Sequence, residues 1–185
     1  MIITVLVGLV VGYYFYLTNR VIDTGNTDAA NEEVEKLITR NLEGDYYPQL
    51  QRDVVIFYSR IMKAYYYTEL TDAQIEALGK QARNLFDEEL LMRNPEDEFY
   101  DNLKKDIKEF KKEKRKILDY KVQSSSEIKT FTFQDETFSI VRAAYYMKDS
   151  APYTTYQDYV LRKDENGQWK ILFWEYVEPV DYEKD

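Results

Sequence analysis

Hydrophobic residues recur every three to four positions as far as about Lys116, and this spacing predicts four helices. The first begins at Thr27 or Asp28, either of which can cap it, and ends at Gly44. The second starts around Pro48 and ends in the run Tyr65-Tyr66-Tyr67. The third opens with the capping box Thr71-Asp72-Ala73-Gln74. For the fourth, Asn94 is the predicted cap and Pro95 the first helical residue. The predicted apolar stripes are Val34, Leu37, Ile38, Leu42; Leu50, Val54, Phe57 or Tyr58, Ile61, Tyr65; Ile75, Leu78, Ala82, Leu85, Phe86; and Phe99, Leu103, Ile107, Phe110.

After Lys116 the apolar period changes to two, which predicts β-strands. Short turns separate these strands, so neighbouring strands are expected to be antiparallel. The turn Asp164-Glu165-Asn166-Gly167 is the strongest hairpin signal, because Asn-Gly accepts positive φ at low cost. The predicted strands are Leu118 to Val122, Phe131 to Phe133, Phe138 to Lys148, Tyr153 to Lys163 and Gln168 to Glu178. Helices followed by a meander indicate an α+β fold, with the helices packed on one face of an antiparallel sheet.

The segment Ile2 to Leu17 contains no charged residue and no proline. It reaches about 24 Å as a helix, and flanking residues with some bilayer thinning make up the distance to the ~30 Å hydrocarbon core. A cleaved signal peptide would need a basic start and a small-residue cleavage site, and a buried core helix is the other alternative. An uncleaved single-pass anchor fits the composition best, so we expect the lipid bilayer to be a partner of this segment.

The side of the membrane on which the rest of the chain lies is predicted by two conflicting signals. Arg20 follows the segment, which by the positive-inside rule favours a cytoplasmic domain. The chain has no cysteine, which is typical of bacterial extracytoplasmic proteins, and we therefore expect the domain to lie outside the cytoplasm. The predicted organisation is a transmembrane anchor at 1–20, a tether and juxtamembrane helix at 21–46, an α+β domain at 47–178 and an acidic tail at 179–185.

The composition argues against several chemistries. The chain has neither histidine nor cysteine and a net charge of -9, so we expect no enzyme activity, no cofactor, no metal site and no nucleic-acid partner. Glu88-Glu89 and Glu96-Asp97-Glu98 have no calcium-loop spacing, and we expect them to begin helices. Lys104 to Lys116 is locally basic, and its apolar positions predict the solvated face of a helix; the alternative is contact with lipid headgroups or an acidic partner.

The strand order and the closing hairpin YQDYVLRKDENGQWKILFWEY, which contains Trp169-Lys170-Ile171, resemble the nuclear transport factor two-like superfamily. The resemblance covers about Tyr47 to Val177 and is nearest to membrane-tethered bacterial members. It implies a curved sheet wrapped around N-terminal helices as a cone. It implies no function, because this superfamily includes enzymes, ligand binders and scaffolds, and no catalytic residue is carried over.

Tyrosines dominate the aromatic residues, with 18 in the chain. They predict either ordinary cross-strand packing or the lining of a ligand cavity. Arg142 lies in an apolar strand, where it either faces inward with an anionic partner or packs its stem near a sheet edge. The candidate cavity residues are Tyr65, Tyr66, Arg142, Tyr146, Tyr156 and Trp169; the wider aromatic set adds Tyr67, Tyr145, Tyr153 and Tyr159.

These observations lead to two functional expectations. The first is a membrane-anchored, non-catalytic interaction or scaffold module at the cell envelope, with a protein partner at the membrane. The second is a domain that binds a small ligand in an aromatic cavity inside the cone.

Overall fold

The computed structural model describes residues 28–178 of the chain. Within that range, no helix combines the length and the apolar composition needed to cross a bilayer. The predicted anchor at 1–20, most of the tether and the acidic tail at 179–185 lie outside the described residues.

Five α-helices and a single turn of 3-10 helix precede the sheet in the described range. They are α1 at residues 28–38, the 3-10 turn Gly44–Tyr46, α2 Gln51–Tyr67, α3 Asp72–Arg83, α4 Glu88–Arg93 and α5 Glu96–Lys112. α1 places Val34 and Leu37 in the same core as the other helices. The helix predicted for the juxtamembrane segment 21–46 is therefore packed on the domain.

The helix boundaries confirm one capping prediction and correct three others. Thr71 and Gln74 form the reciprocal capping box at the start of α3. Pro48 does not begin α2, because the helix starts later with extended Leu50 as its N-cap. Pro95, with extended backbone, is itself the N-cap of α5, so Asn94 is not. α1 ends at residue 38, before the predicted Gly44.

The short helix α4 is absent from the sequence prediction. Its six residues are too few to establish a helical period. The buried Asp87 caps it by accepting a hydrogen bond from the Glu89 amide at 2.9 Å. The same carboxylate accepts hydrogen bonds from Arg162 Nη2 at 2.6 Å and from Arg162 Nε at 3.0 Å. One aspartate thus joins α4 to the sheet.

The sheet has five antiparallel strands, as the alternating pattern predicts. They are β1 Lys116–Val122, β2 Lys129–Phe133, β3 Glu136–Lys148, β4 Pro152–Lys163 and β5 Trp169–Val177. Their order is β1-β3-β4-β5, and β2 pairs with the first part of β3. Register shifts interrupt β1 after Ile117 and the β4–β5 pair after Val160, and such irregularities bend a sheet. The sheet is curved and open.

The tightest hairpin is a different one from that predicted. Gln134 and Asp135 both have positive φ, at 51° and 65°, and join β2 to β3 as a two-residue turn. In the Asp164–Gly167 turn only Gly167 has positive φ, at 74°. Asp164 organises that turn by accepting the amides of Asn166 and Gln168 through its carboxylate.

One face of the sheet is covered by the helices, and tyrosine hydroxyls link the two layers. Ser59 on α2 and Tyr145 on β3 share a hydrogen bond of 2.8 Å. The Tyr145 hydroxyl also shares a hydrogen bond of 2.7 Å with the Tyr159 hydroxyl, and the Tyr159 hydroxyl donates a hydrogen bond to Gln157 Oε1 at 2.6 Å. All four side chains are buried. Burial raises the pKa of Tyr145 to about 12 and that of Tyr159 well above its ordinary value.

The domain has two distinct ends along the strand direction. At the entry end, Ala29 and Ala30 of α1 lie beside Tyr67 at the end of α2, and Lys116, at the start of β1, pairs with Lys148. At the far end is the Gln134–Asp135 turn. β3 connects the two ends and spans about 40 Å, at roughly 3.3 Å per residue. The chain thus passes from its N-terminal segment into the domain at the entry end.

The tyrosine network predicts a stability loss at high pH. Below pH 10 these tyrosines are protonated in both the folded and the unfolded chain. Between about pH 10 and 12 the unfolded chain loses the protons that the folded chain retains. The free energy of unfolding should therefore fall by about 1.4 kcal/mol per pH unit for each such tyrosine.

Urea unfolding from pH 9 to 11.5, followed by tryptophan fluorescence, measures this slope. Tyr145→Phe removes one titrating group and should make the slope shallower. An unchanged free energy of unfolding across the range would contradict the buried network.

Candidate functional site

The face of the sheet turned away from the helices is the candidate site, and we call it the open face. Successive side chains of a strand point to opposite sides. On β3, Val141, Ala143 and Tyr145 are buried against the helices, so the residues between them point to the open face. Antiparallel partners share a face, so the pairing extends this assignment to every strand. The residues assigned to it are Asp119, Lys121; Lys129, Phe131, Phe133; Glu136, Phe138, Ile140, Arg142, Ala144, Tyr146; Thr154, Tyr156, Asp158, Val160, Arg162; and Lys170, Phe173, Glu175, Val177.

Large apolar side chains are exposed on the far half of the open face. Phe131, Phe133, Ile140 and Phe173 retain 45%, 60%, 42% and 45% of their accessible surface. Ile140, Val160 and Phe173 are consecutive cross-strand partners, and the Phe131 and Phe138 rings stack at 5.8 Å. These six residues form the apolar patch. Scattered exposed hydrophobic residues are ordinary, whereas a contiguous set marks an interaction surface.

An ion pair crosses the centre of the open face. Arg142 Nε donates to Asp158 Oδ1 at 2.7 Å, and Nη2 donates to Oδ2 at 2.7 Å. The arginine side chain is 39% exposed and the aspartate side chain 14%. Gln123 adds a backbone clamp, since its amide donates to the Arg142 carbonyl and its side-chain oxygen accepts the Arg142 amide. The guanidinium is therefore held at a fixed position.

Curvature makes part of the open face a groove of about 990 Å³, lined by residues that include Arg142, Tyr156 and Glu178. Its two rims carry opposite charge. Lys121 and Lys129 lie on the β1–β2 rim, whereas Glu175 and Glu178 lie on the β5 rim. All four residues are exposed. None of them forms an ion pair within residues 28–178.

The six residues predicted to line one cavity are in three different places. Arg142, Tyr146 and Tyr156 lie together on the open face. Tyr65 and Tyr66 line a separate cleft between α2 and α5. Trp169 is 5% exposed, with the Lys163 ammonium 5.2 Å from its ring centroid. Of the wider aromatic set, Tyr145 and Tyr159 are buried in the layer beneath the helices.

The cleft at the entry end, which we call the tyrosine cleft, has a volume of about 310 Å³. The Tyr66 and Phe110 rings form one wall, with centroids 4.0 Å apart. Its rim carries Lys111, Lys114, Arg115 and Lys116. The Tyr65 hydroxyl and Arg115 Nε are buried there without a hydrogen-bond partner among the described residues. Two unsatisfied donors at one cleft suit a ligand that accepts hydrogen bonds.

The acidic clusters lie where helices begin, at the first turns of α4 and α5. Within residues 28–178, no group of three or more acidic side chains is placed to hold a metal ion. The basic run from Lys104 is split in the folded domain. Lys104 pairs with Glu76 and Lys111 with Glu69, at 2.8 and 2.7 Å, while the residues after Lys111 lie at the entry end.

Sequence reasoning did not identify Asp158, Phe173 or Glu175 as site residues. The alternation of β4 and β5 places Asp158 and Phe173 on definite faces once one buried residue is known. The register shift after Val160 then changes which residues of β5 face which way, and no local pattern predicts it. The pairing of Arg142 with an aspartate on the neighbouring strand can be predicted only after β3 and β4 have been aligned from the turn that joins them.

A family model described as "Domain of unknown function (DUF6715)" matches residues 1–174. The matched range includes the apolar segment Ile2 to Leu17, all the helices and most of the sheet. A comparison with functionally curated proteins returned no match.

The Arg142–Asp158 pair should contribute measurable stability. Its bidentate geometry and the low exposure of Asp158 favour it over an ordinary surface pair. We expect a double-mutant cycle of Arg142→Gln and Asp158→Asn to give a coupling energy of about 1 kcal/mol. Urea unfolding of the four proteins provides the free energies. Strictly additive losses would mean that the pair does not hold the centre of the face.

Proposed function

Because the chain belongs to the DUF6715 family, whose description names no activity, we propose a function from its own surfaces. The protein is a membrane-anchored, non-catalytic interaction module. It is held in the bilayer by Ile2 to Leu17 and presents the open face of its sheet to a protein partner at the cell envelope. The single observation that carries the proposal is the apolar patch that residues 28–178 leave exposed, on a face bordered by charged rims.

The anchor is supported by the chemistry of its residues. Ile2 to Leu17 is free of charge, and the aliphatic residues favour insertion by a few tenths of a kcal/mol each. The segment also lies within the range that the family model matches. Cysteine-free composition favours an extracytoplasmic position of the domain. The α+β order and curved sheet are compatible with the nuclear transport factor two-like resemblance.

The two ends of the domain support a particular orientation over the bilayer. The chain enters at the end that also carries Lys112, Lys114, Arg115, Lys116 and Lys148. Cations near a membrane surface are attracted to anionic headgroups by about 1 kcal/mol each. The apolar patch lies at the opposite end of β3. The domain would therefore stand with its basic end towards lipid and its patch towards other proteins.

Non-catalysis is proposed because the commonest general base, histidine, and the thiolate nucleophile of cysteine are both missing from the chain. Histidine and cysteine do not occur in the sequence. On the open face, Arg142 and Asp158 neutralise each other in a bidentate pair. Such a pair orients the surface and engages both side chains in hydrogen bonds with each other.

The anchoring is tested by flotation of the full chain with phosphatidylcholine vesicles in a density gradient. We expect the chain to float with the vesicles and to stay bound at high salt and at alkaline pH. A chain in which Val5, Val7, Leu9 and Val10 are replaced by aspartate should remain at the bottom of the gradient. Recovery of the unchanged chain in the lipid-free fraction would overturn the anchoring.

The presenting surface is tested by photo-crosslinking in membranes of the native cell. A photoreactive residue at Ile140 should capture a protein, whereas one at Lys108 on the exposed face of α5 should not. Equal crosslinking from both positions would contradict a role for the open face.

A second function, ligand binding, is favoured by the tyrosine cleft. Lys111 and Arg115 are paired with Glu69 and Glu113, whereas Lys114 and Lys116 form no ion pair within residues 28–178. These two lysines and the unsatisfied Tyr65 hydroxyl and Arg115 Nε suit an anionic group attached to a planar or aliphatic body. The position of the cleft at the entry end makes a lipid headgroup phosphate one source of that anion, and a soluble phosphate ester is the other.

Acetylation footprinting of lysines in the full chain tests the cleft. If a lipid headgroup supplies the anion, Lys114 should be protected several-fold in vesicles that contain phosphatidylglycerol. If a soluble phosphate ester supplies it, the same protection should appear in phosphatidylcholine vesicles with added phenyl phosphate. Lys105, on the outer side of α5, is the internal control. Protection of Lys114 under neither condition would reject the cleft as an anion site.

A further inference from the structure

The outer edge of β2 is free of any neighbouring strand in the described part of the chain. β1 and β2 both lie on the same side of β3, along different parts of its length, and in the described sheet β2 pairs with β3 alone. All five residues of β2 are exposed. The backbone groups on its outer side therefore face solvent.

The turn between β2 and β3 decides which backbone groups point to this edge. In a two-residue turn with two positive φ values, the flanking residues Phe133 and Glu136 bond to each other. Hydrogen-bonded and non-hydrogen-bonded pairs alternate along an antiparallel ladder. Thr130 and Thr132 are therefore at non-hydrogen-bonded positions, and their N–H and C=O groups point outwards. Within residues 28–178, no backbone hydrogen bond outside the β2–β3 ladder involves either threonine.

The other two edge strands are protected by irregularities that β2 lacks. β1 has a register shift after Ile117, and the β4–β5 pair has one after Val160. The start of β5 is also covered, since the Ile171 amide donates to the Leu85 carbonyl and the Asp87 amide donates to the Ile171 carbonyl, both at 2.8 Å. Bulges, prolines and covering segments prevent strand addition at an edge. β2 has an uninterrupted register, no proline and no covering strand among the described residues.

The side chains of β2 suit pairing with a further strand. Threonine and phenylalanine both favour strands. Phe131 and Phe133 belong to the exposed apolar patch, so an added strand would have apolar cross-strand neighbours on the open face. On the helix side, the Gln51 side chain donates to Thr130 Oγ1 at 3.1 Å. This contact uses the threonine side chain and leaves its outward backbone groups accessible.

The charge of the added strand is specified by Lys129. This lysine is exposed at the start of β2 and forms no ion pair with any residue of the described range. Lys121, on the same rim, is unpaired in the same sense. Opposite charges stabilise directly opposed cross-strand positions. An acidic residue therefore suits the position opposite Lys129.

We propose that β2 is a strand-addition site, at which an extended segment of a partner protein pairs antiparallel and becomes the sixth strand of the sheet. The backbone of this segment bonds to Thr130 and Thr132. Its apolar side chains continue the apolar patch, and an acidic residue lies opposite Lys129. This inference rests on the proposed interaction function and states the conformation and the side-chain pattern of the partner segment.

A short peptide tests the edge without any variant of the protein. When acetyl-Val-Thr-Val-Thr-Glu-amide pairs antiparallel with β2, its valines lie beside the phenylalanines and its glutamate lies opposite Lys129. In the full chain, held in phosphatidylcholine vesicles, we expect the amides of Thr130 and Thr132 to exchange with deuterium several-fold more slowly when the peptide is present at millimolar concentration.

The matched control is the same peptide with N-methyl groups on both of its threonines. Those threonines lie opposite Thr130 and Thr132, so the methyl groups remove the donors that the pairing requires. This peptide should leave the exchange unchanged. Equal exchange with and without the first peptide, or equal slowing by both peptides, would overturn the proposal.

The charge preference is tested by Lys129→Glu. With this variant, the peptide that ends in glutamate should protect the two amides several-fold less, and a peptide that ends in lysine should protect them more. Lys108→Glu, on the exposed side of α5, changes the net charge equally and should retain the original preference. A preference for the glutamate peptide that survives Lys129→Glu would overturn the acidic assignment.

Thr132→Pro tests strand addition in membranes of the native cell. Proline lacks an N–H, and since the N–H of Thr132 points outwards, the β2–β3 ladder keeps all of its hydrogen bonds. Crosslinking from a photoreactive residue at Ile140 should fall about tenfold in this variant. Thr132→Ala keeps the N–H and should crosslink at nearly the original level.

The outcomes separate this proposal from the proposed function. Crosslinking from Ile140 that survives the proline, or that falls equally with the alanine, would overturn strand addition and keep the open face as the interaction surface. Absence of crosslinking in the unchanged chain would instead reject the proposed function. The peptide experiment needs neither a partner nor a variant, so it decides the edge of β2 in that case and also if the proline variant does not fold.

Discussion

A sheet has two faces, and the helices of this domain cover only one of them. Burial of large tyrosine, leucine and isoleucine side chains between the helices and the sheet stabilises the fold. The Ser59–Tyr145–Tyr159–Gln157 network satisfies the polar atoms that this layer encloses. The open face receives no such cover from residues 28–178, although four large apolar side chains are exposed there. The orientation of the domain, its proposed partner and the role of its rims all depend on this asymmetry.

The two ends of the strands also differ, since one end is basic and the other carries the apolar patch. The chain reaches the domain at the end where α2 and α5 finish and where lysine and arginine residues collect. The apolar patch lies towards the other end of β3. An anchored protein with this arrangement would bring its basic end to the headgroups and the open face of its sheet to a protein partner. The tyrosine cleft, with unsatisfied Tyr65 and Arg115 donors, belongs to the membrane-facing end and is separate from the sheet surface.

Much of the fold was predictable because its signals are local. The capping box at Thr71, the change of apolar period near Lys116 and the strand limits each depend on a few neighbouring residues. The predicted helix starts were wrong at both prolines, although each proline fits a first turn. α2 begins only after the extended residue Leu50, and Pro95 is the N-cap of α5 and not its first residue. α4 was missed because its cap, Asp87, is fixed by Arg162 from a distant strand. The predicted single cavity did not assemble, because tyrosine content says nothing about which side of the sheet each ring occupies. The position of Arg142 beside Asp158 depends on the β3–β4 register, and that of Phe173 depends on a bulge that no pattern indicates.

The most direct test of the account is whether a protein covers the open face when the full chain lies in its native membrane. A spin label at Ile140→Cys, read by continuous-wave electron paramagnetic resonance, reports the mobility of this face, with a label at Lys108→Cys on α5 for comparison. The account predicts that the sheet label is immobilised in membranes of the native cell relative to phosphatidylcholine vesicles, because a partner covers the apolar patch, and that the helix label is equally mobile in both. A sheet label that is equally mobile in both membranes would contradict it.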